Sequence, residues 1–313
     1  MNLYLLSRYI EKTTFFKRDS DMTRLLITHN DLDGIGSAVL AVHGQLGFDA
    51  IYVWQYGVYD RRVIDAYDEV VVADLSFPPE QVTANMTILD HHESSKWLVE
   101  DPYSRHKHDE KSCGTELFYK YYYKFDHTPV IDRFVELIRV YDTWQSDHRL
   151  FDIACDLNRC FQGMLEPKMD RNDVQVVKDG KLTKNAFTHF INSMFYTVFK
   201  LGLKSFAFNG PQKSAIEQVK KGENNAYAQS IKTYKKYGNI GVVEVRGPFA
   251  TYVGNRLLNE HKDITIAALT YPKFDHVSLR SRSDFDLTSI KGYKGHKHAG
   301  SISKKTLEEL ISK

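Results

Sequence analysis

The chain reads as an α/β protein, with an N-terminal parallel-sheet domain carrying helical crossovers, a helical linker and a smaller α/β C-terminal domain. Two observations predict this. Along the N-terminal half, apolar β-branched runs alternate with helix-compatible stretches, the pattern of strands joined by crossover helices. Each run ends in carboxylate or imidazole side chains, and ligands of such sheets sit at the carboxyl ends of the strands. The length of 313 residues exceeds one ordinary domain and suffices for two cores.

The first strand is Arg24 to Thr28, which runs into His29-Asn30-Asp31-Leu32-Asp33-Gly34, an imidazole followed by carboxylates at alternate positions. Helices are expected over Ile35 to Leu46 and Tyr59 to Tyr67. Glu69 to Ala73 forms a strand that ends in Asp74, and Met86 to Leu89 forms another that ends in Asp90-His91-His92. Tyr119, Tyr121, Tyr122 and Tyr123 are expected to pack a helix that follows Cys113-Gly114-Thr115. From Val130 to Trp144, Ile131, Phe134, Val135 and Ile138 follow helical spacing, and Asp142 closes their face. By pattern alone Asp147 and Asp152 are equal candidates to Asp142 for a site. Phe187, Phe190, Ile191, Met194, Phe195 and Phe199 mark an amphipathic helix whose aromatic stripe is core. Gly202, Gly210 and Pro211 then interrupt the pattern and predict a flexible connection.

Asp90-His91-His92 places three metal-capable side chains in a row. Alone, that triplet reads equally well as an exposed turn. With the clusters at His29 to Asp33 and at Asp74, it points to a divalent-metal centre at one sheet edge. Two ions held about 3.5 to 4 Å apart need a bridging carboxylate and an oxygen-rich shell containing imidazole. Carboxylate and imidazole without thiolate favour Mn or Mg over Zn. Cys113, Cys155 and Cys160 lack Cys-x-x-Cys spacing and are odd in number, as expected of reduced thiols in an intracellular protein.

In order and approximate spacing, His29-x-Asp31-x-Asp33-Gly34, Asp74, Asp90-His91-His92 and Asp142 resemble the four motifs of the DHH phosphoesterase superfamily. That group includes RecJ-type exonucleases, nanoRNases, pAp phosphatases, cyclic-dinucleotide phosphodiesterases and family II pyrophosphatases. The resemblance implies a two-manganese site, with Mg or Co as substitutes. His29, Asp31 and Asp74 would hold one ion; Asp33, Asp74, His91 and Asp142 would hold the other. It further implies that His92 faces the scissile phosphate and that Asp90 orients the imidazoles, a support metal-bound histidines usually have.

Toward the C-terminus, Val277-Ser278-Leu279-Arg280-Ser281 and Lys294-Gly295-His296-Lys297-His298-Ala299-Gly300 resemble the DHH-associated C-terminal domain. Tyr252-Val253-Gly254-Asn255-Arg256-Leu257 is similar to the helix that opens that domain. The resemblance implies that Arg280, Gly295, His296, His298 and Gly300 bind substrate, through the phosphate and sugar of a nucleotide. Arg280 can clamp a phosphate bidentately, and glycines let backbone N–H groups approach an anion. Tyr293 and Lys294 stand where family members often carry glycines. The form of the first motif, beginning His-x-Asp rather than Asn-Pro-Asp, shifts weight toward oligonucleotide substrates.

The net charge of +2 hides an uneven distribution. Residues 201–313 hold 19 Lys and Arg against 10 Asp and Glu, leaving 23 against 30 in residues 1–200. A metal-carrying acidic half and a basic half suit a phosphate-rich substrate, although a solvated lysine surface would have the same composition. The sequence lacks the roughly 18 consecutive apolar residues of a membrane span. Arg8, Glu11, Lys12, Lys17 and Arg18 are unlike the apolar core of a secretory signal, so a cytoplasmic protein is expected. The expected organisation is an N-terminal extension over 1–22, a metal-binding domain over 23–200, a linker over 201–238 and a nucleotide-binding domain over 239–313.

The expected activity is Mn-dependent hydrolysis of short single-stranded oligoribonucleotides to mononucleotides. A pAp phosphatase or cyclic-dinucleotide phosphodiesterase comes next, then a RecJ-like exonuclease on single-stranded DNA. A noncatalytic nucleotide-sensing or nucleic-acid-binding module is the reading from another class. A homodimer is compatible with all of them.

Overall fold

The computed structural model describes residues 22–55, 60–100, 105–123, 127–165, 174–199, 206–282 and 284–312. The expected extension, apart from Met22, lies outside them, as do Gly202 and the side chain of His296. Two compact units meet between Ile216 and Glu217.

The first unit is an α/β layer structure. Its elements run β1 (Arg24–His29), α1 (Leu32–His43), β2 (Ala50–Trp54), α2 (Arg61–Ile64), β3 (Glu69–Ala73), β4 (Met86–Asp90), β5 (Lys107–His108), α3 (Gly114–Tyr121), α4 (Pro129–Asp142), α5 (Phe151–Met164), β6 (Val174–Lys178), β7 (Lys181–Leu182) and α6 (Thr188–Phe199). The seven strands lie in the order β5-β4-β3-β1-β2-β6-β7. Strands β1 to β5 pair in parallel, whereas β6 and β7 add an antiparallel edge. β1 leads to β2 on one side, and the chain then crosses to β3 on the other. The topological switch point therefore lies between β1 and β3, where sheets of this kind open a crevice at their carboxyl edge.

Alternation along β1 explains the two cores. Leu26 packs with α1, α3, α4 and α6 residues such as Ile35, Phe118, Phe134 and Phe190, while Leu25 and Ile27 face Ile64, Val70, Phe77 and Leu98. Both faces are covered, so the parallel strands read as nearly continuous apolar runs. The aromatic stripe at Phe187, Phe190, Ile191 and Met194 is fully buried, as its spacing predicts. Tyr119 and Tyr123 are buried, whereas Tyr121 is exposed. Two elements differ from expectation. β2 was not anticipated, and the helix expected over 59–67 is only the four residues of α2, which bury Ile64 alone and stop at Asp65. A helix with one buried position has little tertiary packing to extend it.

The helix α7 (Gly210–Ser230) begins in the first unit and continues into the second. Gly210 and Pro211 thus start a helix within the expected linker rather than mark a flexible break. Asn209 and Gln212 cap it reciprocally: Asn209 Oδ1 accepts from Gln212 N at 3.0 Å, and Gln212 Oε1 accepts from Asn209 N at 2.9 Å. The second unit then forms β8 (Lys235–Tyr237), β9 (Ile240–Glu244), α8 (Ala250–Glu260), β10 (Ile266–Thr270), β11 (His276–Ser281), β12 (Lys294–His296), β13 (Ala299–Ser303) and α9 (Lys304–Ile311). Its sheet runs β12-β13-β11-β10-β9-β8, with β9 and β10 parallel and the other pairs antiparallel. Val253 and Leu257 of α8 cover one face with Tyr227 of α7, and Leu307 of α9 covers the other.

Candidate functional site

The strand ends of the first unit bring six sequence-predicted ligand residues together. His29 is the last residue of β1, Asp74 follows β3, Asp90 closes β4 with His91 next, and Asp142 is the last residue of α4. Asp31 is the N-cap of α1, its Oδ1 accepting from Gly34 N at 3.0 Å, and Asp33 lies in that helix's first turn. A strand end and a helix start therefore present three groups from five residues. Asp74 adopts the left-handed region at φ 61°, which a short polar side chain tolerates better than most, and its N–H donates to Leu89 O at 3.0 Å.

Two candidate ligand sets adjoin, His29 with Asp31 and Asp74, and Asp33 with His91 and Asp142, and a third group of Asp74, Asp90, His91 and His92 overlaps them; within each, the candidate ligand atoms lie within 4.8 Å of one another. His29 Nδ1 is 2.8 Å from Asp31 and 3.7 Å from Asp74. His91 Nε2 lies 3.3 Å from Asp74, 3.4 Å from Asp142 and 3.7 Å from Asp33, so Asp74 borders both sets. Asp147 and Asp152 belong to none of these groups.

A bound cation would relieve the electrostatics of this cluster. Burial, followed by the charges of Asp33, Asp31 and Asp142, pushes the Asp74 carboxyl well above its ordinary range. Burial and Asp33 likewise raise Asp142. His91 is raised although burial opposes it, because Asp142, Asp33 and Asp90 favour its charged form. Burial also opposes ionisation of Asp31, yet His29 and the Gly34 N–H hold it below the usual carboxylate range. Asp74 Oδ2 and Asp142 Oδ2 are buried and accept no hydrogen bond. Buried carboxylate oxygens without donors are costly unless a cation meets them. The donor set of oxygen and imidazole fits divalent ions, and these residues fit such a group.

His92 and Asp90 also carry a hydrogen-bond network of their own. Asp90 Oδ1 lies 2.7 Å from His92 Nδ1, its Oδ2 accepts from Ser95 Oγ, and Ser95 Oγ lies 2.9 Å from Ser76 Oγ, from which it can accept. His108 Nε2 meets the His92 carbonyl at 2.9 Å. The His92 imidazole therefore has a fixed orientation while staying 18% exposed. Sequence reasoning missed Ser95, which lies five residues beyond Asp90 with no motif to mark it. It also missed Gly114 and Thr115 as site residues. Their N–H groups, at the start of α3, donate to Asp33 Oδ2 at 2.6 Å and Oδ1 at 2.8 Å. A helix N-terminus thus holds one of the candidate carboxylates. A side chain at Gly114 would place its Cβ 2.3 Å from Asp74 Cβ. The available signal was a glycine at a helix start beside Cys113.

The helix that supplies Asp142 ends in a left-handed cap, as α1 does at Gln45, φ 45°. Trp144 N–H donates to Tyr141 O at 3.1 Å and Gln145 N–H to Val140 O at 2.9 Å, the paired bonds of a left-handed helix cap in which glycine usually stands. Trp144 occupies the glycine position at φ 51°, a conformation that costs an L-residue about 1–2 kcal/mol.

In the second unit Arg280 pairs across the sheet with Ala299, and Gly295 with Gly300. Arg280 Nη2 donates to Thr251 Oγ1 at 2.8 Å and Nη1 to Leu279 O at 2.8 Å, which orients the guanidinium. Gly254 on α8 lets that side chain pass, since a Cβ there would lie 3.0 Å from Arg280 Cγ. The Gly295 to Gly300 segment is a β-hairpin rather than an open loop. Its glycines answer to packing: a Cβ at Gly295 would lie 2.5 Å from Gly300 Cα, and one at Gly300 2.4 Å from the Tyr293 hydroxyl. His298 is held at the turn, its Nδ1 3.2 Å from Ser281 Oγ and 3.1 Å from Phe285 O.

No family model matches the chain. The oligoribonuclease NrnB of Bacillus subtilis is 22% identical over 303 residues, covering 88% of this chain and 70% of that protein. The pGpG-specific phosphodiesterase PggH of Vibrio cholerae has a TM-score of 0.53 at 17% identity, over 93% of this chain and 96% of its own. Exonuclease RecJ bound to manganese has a TM-score of 0.55 at 12% identity, over 93% and 90%. The chain shares the fold of these structures and is related to NrnB, which supports the DHH-superfamily phosphoesterase that its motifs predict.

Proposed function

We propose that this phosphoesterase hydrolyses short single-stranded oligoribonucleotides to mononucleotides with two divalent ions, manganese first among them. The observation that carries the reading is the pair of adjoining ligand sets bordered by Asp74, in which buried carboxylates repel one another and two oxygens lack donors. His29, Asp31 and Asp74 would hold one ion and Asp33, Asp74, His91 and Asp142 the other. Bound ions of this kind neutralise charge on phosphoryl oxygens and activate water for in-line attack. His92, fixed by Asp90 with Ser95 behind it, would donate to the scissile phosphate. Arg280 would grip a terminal phosphate, with Gly295, His296, His298 and Gly300 shaping the hairpin beside it. The relation to NrnB supports RNA over the alternatives.

The test offers purified protein with Mn(II) labelled RNA and DNA from dinucleotides upward, together with pAp and cyclic dinucleotides. Mononucleotides should accumulate from short RNA. Asp74→Ala and His91→Ala should each lower the rate roughly a thousandfold, the several kcal/mol a metal contributes. Wild-type rates in either variant would remove the metal reading, and phosphate release from pAp alone would replace the substrate.

A further inference from the structure

We infer that Trp144 is a specificity-determining residue whose indole stacks on the base of the nucleotide next to the scissile phosphate. The inference rests on the oligonucleotide reading above. Helix α4 delivers Asp142 as its last residue, and the chain leaves through the left-handed cap just two residues later. Nothing in helix termination asks for tryptophan there. Thr143 and Gln145 already tie the turn, Thr143 N–H donating to Arg139 O at 3.0 Å and Gln145 Nε2 to Thr143 Oγ1 at 2.8 Å. A glycine would complete the same bonds without strain. Strained non-glycine residues persist where their surroundings over-determine them, and they cluster at ligand-binding positions.

Burial does not account for the choice either, because the residue stays 38% exposed. The indole is nonetheless held. It makes edge contacts with Phe151, centroids 5.0 Å apart at 84°, and with Tyr141, 5.7 Å apart at 66°. Tyr141 is itself anchored, its hydroxyl accepting from Asn158 Nδ2 at 2.7 Å. The result is a rigid, partly exposed aromatic surface whose Cα lies at most about 7.6 Å from that of Asp142. That spacing is comparable to the distance from a nucleotide's phosphate to its base. Stacking accepts any base, since every base has a π-face, so Trp144 would report the presence of a base and not its identity.

The test compares wild type, Trp144→Phe and Trp144→Ala on a 5′-phosphorylated adenylate dinucleotide and on the same dinucleotide lacking its bases. Trp144→Ala should raise KM for the base-carrying substrate roughly five- to hundredfold, with kcat and the Mn(II) requirement kept. Trp144→Phe, which retains the ring contacts, should recover most of the loss, and the abasic substrate should not distinguish the three proteins. Equal losses on both substrates, or a changed metal requirement, would show that the indole merely holds Asp142 and would overturn the inference. If wild type cleaves neither substrate, the oligonucleotide reading fails by itself. Stacking is then read from tryptophan emission during titration with adenosine monophosphate. Quenching in wild type that disappears in Trp144→Phe supports the inference, and identical curves refute it.

Discussion

Replacing Asp142 by asparagine separates the metal reading from a purely structural one, because the two predict opposite signs in metal-free protein. Burial and Asp33 raise the Asp142 pKa to about 8 from an ordinary 3.8. A raised folded-state pKa contributes stability that is fully present below 3.8 and is lost as pH rises through the folded value. Each pH unit in that window removes up to about 1.4 kcal/mol, so at pH 7 keeping Asp142 protonated costs the metal-free protein about 4 kcal/mol at most. Asparagine cannot ionise, and it adds a donor beside Asp33 and Asp74. In chelator, Asp142→Asn should therefore raise the melting temperature at pH 7 by about 2–4 °C per kcal/mol recovered, with a smaller gain at pH 5. With Mn(II) at about a hundredfold excess over its Kd, wild type should gain about 2.7 kcal/mol, and the variant much less. Melting curves at pH 5 and 7, with and without metal, decide it. A variant that melts below wild type in chelator at both pH values would refute the electrostatic argument.

Gly114→Ala should leave circular dichroism unchanged but lower the Mn(II)-dependent rate by about a hundredfold, because its Cβ displaces Asp74 and a shift of about 1 Å in a site can cost that much. A rate within threefold of wild type would show that α3 can retreat without disturbing the ligand. His43 gives an independent pH signal. Burial lowers its imidazole to about 3, and the Tyr123 hydroxyl meets its Nδ1 at 2.7 Å. A depressed histidine loses stability as pH falls from 6.5 toward the folded value, about 2 kcal/mol by pH 5. Subtracting the stability of His43→Gln from that of wild type, by urea denaturation between pH 7 and pH 5, should show this slope; a flat difference would show that the folded imidazole takes up its proton as readily as the unfolded one.

The parts of the site legible in sequence are those attached to strand ends. Asp74 and Asp90-His91-His92 follow apolar runs whose β-branched composition identifies them as strands, and topology then places their ends at one edge. Asp142 was singled out from Asp147 and Asp152 by motif resemblance, since helical spacing reaches only to the end of a face. Support from elsewhere in the chain was not legible. Gly114 and Thr115 reach Asp33 through backbone N–H groups, which any residue except proline supplies, so no side-chain signal exists. Gly295 and Gly300 illustrate the opposite failure. Their glycine pattern suggests an anion-binding loop, but close strand pairing and the Tyr293 ring also require them. Strand β2 escaped notice because Ala50–Trp54 carries no polar cluster at its end.

The two hydrogen bonds from α3 to Asp33 join residues 81 and 82 positions apart in the chain. Contacts of such separation close late, since a long loop must lose its freedom before they form. A chain still emerging from the ribosome can hold His29, Asp31 and Asp33 long before α3 and α4 exist to complete their surroundings. Metal capture should consequently mark the end of folding of this unit, and Mn(II) added during refolding should stabilise the product while leaving the early folding rate unchanged.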